Sequence, residues 1–228
     1  MRSPATSAET TKQTVSSRGT TKKPTGKRRS RSIRRLRRSE LPAGTVALAK
    51  FLIGKTLVHD LPTGRLSGRI VESEAYPPGD PAGHAFRGET PGNRSLFLKR
   101  GHGYVFFTYG SSFMMNVASD KPGVGAGVLL RALEPLEGME TMKRFRRTSH
   151  MDDISRGPGR LAQAMRIDKR YDGIDLCADG TLWLGIAVKP TGKIGSSKRI
   201  GITRAVHRKL RFFERGNPHV SGPKHLNK

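Results

Sequence analysis

The sequence predicts an α+β fold: one compact domain over residues 41–224, with short, mainly antiparallel strands and flanking helices, behind a disordered basic tail. Three observations lead there. Segments alternating apolar and polar residues are short and separated by Gly/Pro-rich turns, as in antiparallel sheets. The helical segments are few and interspersed, without the regular strand–helix alternation of a doubly wound sheet. Residues 1–38 are rich in Ser, Thr, Lys and Arg and nearly free of acids and large apolar side chains, too little apolar surface to offset the entropy of ordering.

Taken in order, residues 42–52 read as a helix with Val46, Ala49 and Ile53 near one face and Gly54 as its stop. Residues 55–59 and 66–75 read as strands around the turn Leu61-Pro62-Thr63-Gly64. Residues 77–92 form a long Pro/Gly-rich loop, a length usually functional or disordered in a compact domain. Residues 104–109 and 113–119 flank Gly110-Ser111-Ser112 and read as a protruding hairpin tipped by Tyr109. A strand over 124–134, a helix over 136–147 with a basic second half, and a helix over 160–165 entered through Gly157-Pro158-Gly159 follow. That entry suits a phosphate or an ordinary helix start equally. Short strands are expected at 181–184, 200–203 and 210–213. Gly123, Gly125 and Gly127 precede a strand rather than join a strand to a helix, so they lack the dinucleotide-binding context.

A net charge of +25 points to a polyanion, most often nucleic acid, with an anionic membrane surface as the alternative. No apolar run is long enough to span a bilayer, and no apolar segment follows the N-terminal basic residues as a secretory signal requires. The single cysteine, Cys177, excludes an internal disulfide, and the histidines lack cysteine partners at zinc-ligand spacing, so neither metal nor cofactor is expected. The tail, with KKPTGKRRSRSIRRLRR at its centre, reads as a solvated self-repelling segment, a nonspecific DNA-holding arm or a localisation signal.

The residues that could carry chemistry lie between Gly68 and Gly138. Strict alternation puts Ile70, Glu72, Glu74 and Tyr76 on one strand face, an odd pairing of two carboxylates with an aromatic for a core strand. Arg131 stands among apolar residues and needs a carboxylate or phosphate partner. Pattern alone does not choose between Glu72 and Glu74, nor between a site and a solvated face.

IVESEAY, His84, TPGNRSLFLKRG, YVFFTYG, Met115-Asn116, VLLRALEPLEG, SRGPGRLAQAM, RIGITRAV, LRFF and GNPHVS, in this order and spacing, resemble the alkyladenine (3-methyladenine) DNA glycosylases over about four fifths of the chain. The resemblance implies a curved sheet and a monofunctional enzyme. Such an enzyme approaches damaged double-stranded DNA through the minor groove as a monomer, flips an alkylated or deaminated purine, and hydrolyses its bond to the sugar. It implies Glu74 as the catalytic carboxylate and Arg131 beside the water and nucleotide. Tyr76, His84 and Phe106 would stack on the base, Asn116 would disfavour a guanine amine, and Tyr109 would fill the gap in the duplex. Phe106 stands where the family usually has tyrosine, and the loop between Tyr76 and His84 is one residue shorter than in some relatives. A DNA substrate implies the nucleoid in a bacterium or the nucleus in a eukaryote. The competing reading is a nonenzymatic RNA- or ribosome-associated protein, which explains the charge but not Glu72, Glu74 and Arg131. A glycosylase with lyase activity would need an amine, and no lysine lies within the motifs assigned to the site.

Overall fold

Strand β2 (Gly64–Tyr76) is the spine of the computed structural model, which describes residues 33–108 and 110–227. Strand β1 (Thr56–Leu61) returns onto β2 through the expected Pro62-Thr63 turn, pairing Leu61 with Gly64. Strands β3 (Gly103–Thr108) and β4 (Ser112–Ala118) form the expected hairpin, and β4 pairs with β5 (Gly127–Glu137), which runs along the other edge of β2. Beyond β1 lies β6 (Leu182–Gly185). Strand β7 (Ile194–Ser197) pairs with β8 (Arg211–Glu214), and β8 takes over from β1 on the upper half of β2. All these pairings are antiparallel, and the sheet curls around the core, as an α+β fold requires. Helices α1 (Thr45–Leu52), α2 (Met139–Arg146) and α3 (Pro158–Ala164) pack on it.

Three elements depart from expectation. Residues 33–38, expected in the tail, belong to the fold. Leu36 is buried and donates its N–H to the Leu184 carbonyl at 2.8 Å, Arg35 bridges to Gly185, and the Arg35 guanidinium lies 4.4 Å from the Trp183 ring centroid. One leucine and a stacked arginine suffice to cover the β6 edge, so the domain starts before Leu41. The rest of the expected tail, 1–32, lies outside the described residues, as does Tyr109. Helix α1 begins at Thr45, because Gly44 takes φ +82°, a value only glycine adopts cheaply. The strand expected at 200–203 does not form. The Ile200 N–H donates to the Glu74 carboxylate at 2.8 Å instead of to a ladder, and the Gly/Ser-containing β7 takes the place beside β8.

Three register shifts interrupt the pairing of β2 with β5, and two of them, bulges at Val71 and Arg131, bear on the site. Ile70 faces Leu133 and Glu72 faces Ala132, so Val71 is an extra residue on β2. Ser73 then faces Leu130, so Arg131 is an extra residue on β5. Ile70 therefore packs in the main core with Leu130 and Leu133, whereas Val71 joins Ala132, Phe213 and Val220 on the opposite side. The expectation that Ile70 shares a face with Glu72, Glu74 and Tyr76 is thus corrected. A bulge shifts phase without changing composition. Ser73 and Ala75 turn toward α1, where the Ser73 hydroxyl donates to the Ala49 carbonyl at 2.9 Å.

Arg69, only 1% exposed, ties the sheet together ionically. It bridges Glu134 of β5 at 2.7 Å and Glu214 of β8. Burial pushes the Glu134 carboxyl up, but Lys189 and Arg69 outweigh it and bring the group down to about 2. A depressed carboxylate contributes stability that is fully present above its unfolded value near 4.3 and is lost as pH falls through about 2. Arg69→Met leaves two carboxylates without their shared cation. It is expected to cost about 3–5 kcal/mol and to flatten the acid side of the stability–pH curve, as read by urea unfolding at pH 7 and below pH 4.

Candidate active site

The two bulges set the site. They bring Glu72 and Glu74 from β2 and Arg131 from β5 to one side of the sheet, where Arg211 of β8 joins them. Both carboxylates are fully buried. Glu72 accepts from Arg131 Nε at 2.8 Å, Arg211 Nε at 2.6 Å and the Ser221 N–H at 2.7 Å. Glu74 accepts from the Ile200 N–H at 2.8 Å and the Tyr76 hydroxyl at 2.9 Å, with Arg131 Nη1 at 3.3 Å. Two carboxylates and two guanidiniums balance in charge, yet their surroundings push the two acids apart. Burial raises Glu72, but Arg131, Arg211 and the Ser221 N–H together outweigh it and hold the group below the usual carboxylate range. Burial also raises Glu74, and there Arg131, the Ile200 N–H and the Tyr76 hydroxyl offset only part of it, so the group stays above that range. A carboxylate has about four acceptor directions. On Glu74 the Ile200 N–H and the Tyr76 hydroxyl take two of them, and Arg131 Nη1 stands in ion-pair contact, so acceptor capacity remains.

Above these acids lies a cavity of about 610 Å³, within the size range of small-ligand sites. Tyr76, His84, Phe106, Asn116 and Arg131 all line it, whereas Glu74 lies behind Tyr76 and Arg131. His84 Nδ1 sits 2.9 Å from the Tyr104 hydroxyl, and its ring meets Phe106 edge-on at 4.2 Å between centroids. Burial lowers the His84 pKa, so a neutral imidazole faces the cavity at pH 7. Asn116 is held by its own donor to the Tyr104 carbonyl at 3.3 Å. Tyr76 keeps its proton, because burial and Glu74 push its hydroxyl up. The aromatic, polar and acidic candidates therefore converge on one pocket with its acid behind the wall.

Residues 39–218 match the methylpurine-DNA glycosylase family. The chain belongs to that family. A protein of Mesorhizobium japonicum, named among the 3-methyladenine DNA glycosylases, is 60% identical over 189 residues, 83% of this chain and 91% of its own length. One of Paraburkholderia phytofirmans, named likewise, is 51% identical over 191 residues. The human DNA-3-methyladenine glycosylase is 44% identical over 193 residues, 77% of this chain and 64% of the human protein. The resemblance of the motifs is thereby borne out, and membership of the methylpurine-DNA glycosylase family makes the protein a DNA glycosylase, a hydrolase of N-glycosyl bonds.

Three parts of this candidate site were not singled out by sequence. Asp80, within the long Pro/Gly-rich loop, is 1% exposed and pairs with Arg199 at 2.8 Å and Arg208 at 3.1 Å. Arg199 lies 4.5 Å from the Tyr76 ring centroid. The Ile200 backbone N–H holds Glu74. An acid in a Pro/Gly loop with two arginines far along the chain was the only signal available, and it fits a surface turn as well. Among the described residues no three His, Cys, Asp or Glu side chains gather to hold a metal, and no helix is long and apolar enough to cross a membrane.

Proposed function

We propose that the protein excises alkylated or deaminated purines from duplex DNA, leaving an abasic site, with Glu74 as the base that activates water. The observation that carries this reading is a buried carboxylate held above its usual range directly behind an aromatic-walled cavity, beside a second carboxylate held below it. Acids whose values are pushed apart by their surroundings divide roles. Glu72 holds two arginines, and Glu74 keeps an acceptor direction for water.

A flipped base would stack on Tyr76 opposite His84 and Phe106, with the Asn116 amide rejecting a guanine amine. Tyr109, which follows Thr108 in sequence, would fill the gap in a duplex approached from its minor groove. The bond from C1′ to the base nitrogen breaks and its electron pair leaves with the base. Water adds to the sugar cation as Glu74 takes a proton from it. An N-alkylated purine that is already cationic departs neutral without an acid. Arg131 does not stabilise a sugar cation. Its charge opposes the burial of Glu74 and favours the ionised form of that group.

Incubation with alkylated duplex DNA tests the reading. Free purine and alkali-labile abasic sites are expected, unaffected by chelators. Among the described residues no lysine lines the cavity, so borohydride should trap no covalent adduct. Absence of purine release from a folded, DNA-bound protein, or a trapped adduct, would overturn the monofunctional reading.

A further inference from the structure

We infer that the buried Asp80–Arg199 pair is a positioning device for this reaction, pinning the stacking ring of Tyr76 and the backbone donor of Glu74 to the base-binding loop. The inference rests on the proposed role of Glu74. Both side chains are wholly buried, which a charged pair at a protein edge has no need to be. Burying such a pair is costly, and replacement by apolar residues is often neutral or stabilising, so its value must be sought in the geometry it fixes. Arg199 reaches Asp80 with both terminal nitrogens, at 2.8 and 3.0 Å, in the planar fork that arginine alone provides. Nη1 also donates to the Ala75 carbonyl at 2.9 Å, between Glu74 and Tyr76 on β2. The guanidinium covers the Tyr76 ring, whereas Tyr76, not Arg199, lines the cavity. The next residue, Ile200, gives its N–H to Glu74.

From the other side, Asp80 accepts the Ala82 N–H at 2.9 Å and so shapes the loop that carries His84. Arg208, with its side chain 38% exposed, adds a second cation to Asp80 from outside. One ion pair thus joins three parts of the pocket: the ring that would stack on the base, the loop bearing the opposing imidazole, and the amide that orients the water-activating carboxylate. Arginine without its anchor would release the ring and the amide together. The charged and titratable groups around Glu74 are Glu72 and Tyr76 on its own strand and Arg131 from β5, with Arg211 of β8 on Glu72 and Arg199, from the segment before Ile200, on Tyr76. Loss of the Ile200 N–H removes a donor that favours the ionised carboxylate, so Glu74 should rise further.

The test compares Arg199→Met, Arg199→Lys and Asp80→Asn with the parent. Amide hydrogen exchange at Ile200 is read without substrate, and single-turnover base release is read across pH on saturating alkylated duplex. Arg199→Met is expected to expose the Ile200 amide to exchange, to lower release at pH 7 by about 10²-fold, as misplacement of a reacting group does, and to move the acid limb of the profile to higher pH. Affinity for lesion DNA should change far less. Arg199→Lys should recover part of the rate, since the charge stays and the fork is lost. If Arg199→Met does not fold, Asp80→Asn and Arg199→Lys are read in the same way. Unchanged Ile200 exchange together with an unmoved acid limb in the folded variants would overturn the pin. A parent protein that releases no purine would instead overturn the proposed function, while the exchange measurement would still judge the pin.

Discussion

Glu74→Gln is expected to slow base release by about 10²–10⁴-fold, the range that a positioned general base contributes, while lesion-DNA binding stays close to that of the parent. The substitution keeps volume and planarity; the Ile200 N–H and the Tyr76 hydroxyl bond different oxygens of Glu74, so the amide oxygen can keep the Ile200 N–H while the Tyr76 hydroxyl turns to accept from the amide nitrogen. What disappears is the proton acceptor. Because burial holds Glu74 above the usual carboxylate range, the parent's rate should fall on acidification through a value higher than the ordinary 4.3 or so. That acid limb should vanish in the variant. Glu72→Gln makes a contrasting pair. It should reduce release less, but it loosens Arg131 and Arg211 together and so should lower the melting temperature, whereas Glu74→Gln should leave it nearly unchanged or raise it. Parent-like turnover by Glu74→Gln would return the residue to a structural role.

What could be read from sequence followed the range of the force that sets each feature. The β1–β2 turn and the β3–β4 hairpin are local, and Pro62, Thr63 and Gly110 announce them. The gathering of Glu72, Glu74, Tyr76 and Arg131 was visible only as an oddity of composition. The bulges at Val71 and Arg131 arise from pairing between strands far apart in sequence, so alternation along β2 alone placed Ile70 on the wrong face. The choice between Glu72 and Glu74 could not be made by pattern. Two positions apart on one strand, they differ in what reaches them from β8, from Ser221 and from Ile200. Leu36 was hidden by its arginine neighbours, because a charge run looks solvated until an edge strand and a tryptophan are found waiting for it.

Arg131→Met should produce the second large effect, and in two measurements that separate its roles. In the fold, Arg131 is the guanidinium common to both buried acids, at 2.8 Å from Glu72 and 3.3 Å from Glu74. Methionine fills similar space but leaves Glu72 to Arg211 alone and Glu74 with no cation in contact. Removal of one partner from a buried ionic cluster costs about 3–5 kcal/mol, to be read by urea unfolding at pH 7. For catalysis the sign follows from the charges. Arg131 is the largest influence opposing the burial-driven rise of Glu74. Without it, Glu74 binds its proton more tightly, and each unit by which its value exceeds the working pH lowers the ionised fraction about tenfold. The folded variant should therefore release base more slowly at pH 7 and recover toward the parent as pH rises, with its acid limb displaced upward. If the rate of folded Arg131→Met is low but independent of pH over the same interval, Arg131 acts on the nucleotide rather than through Glu74.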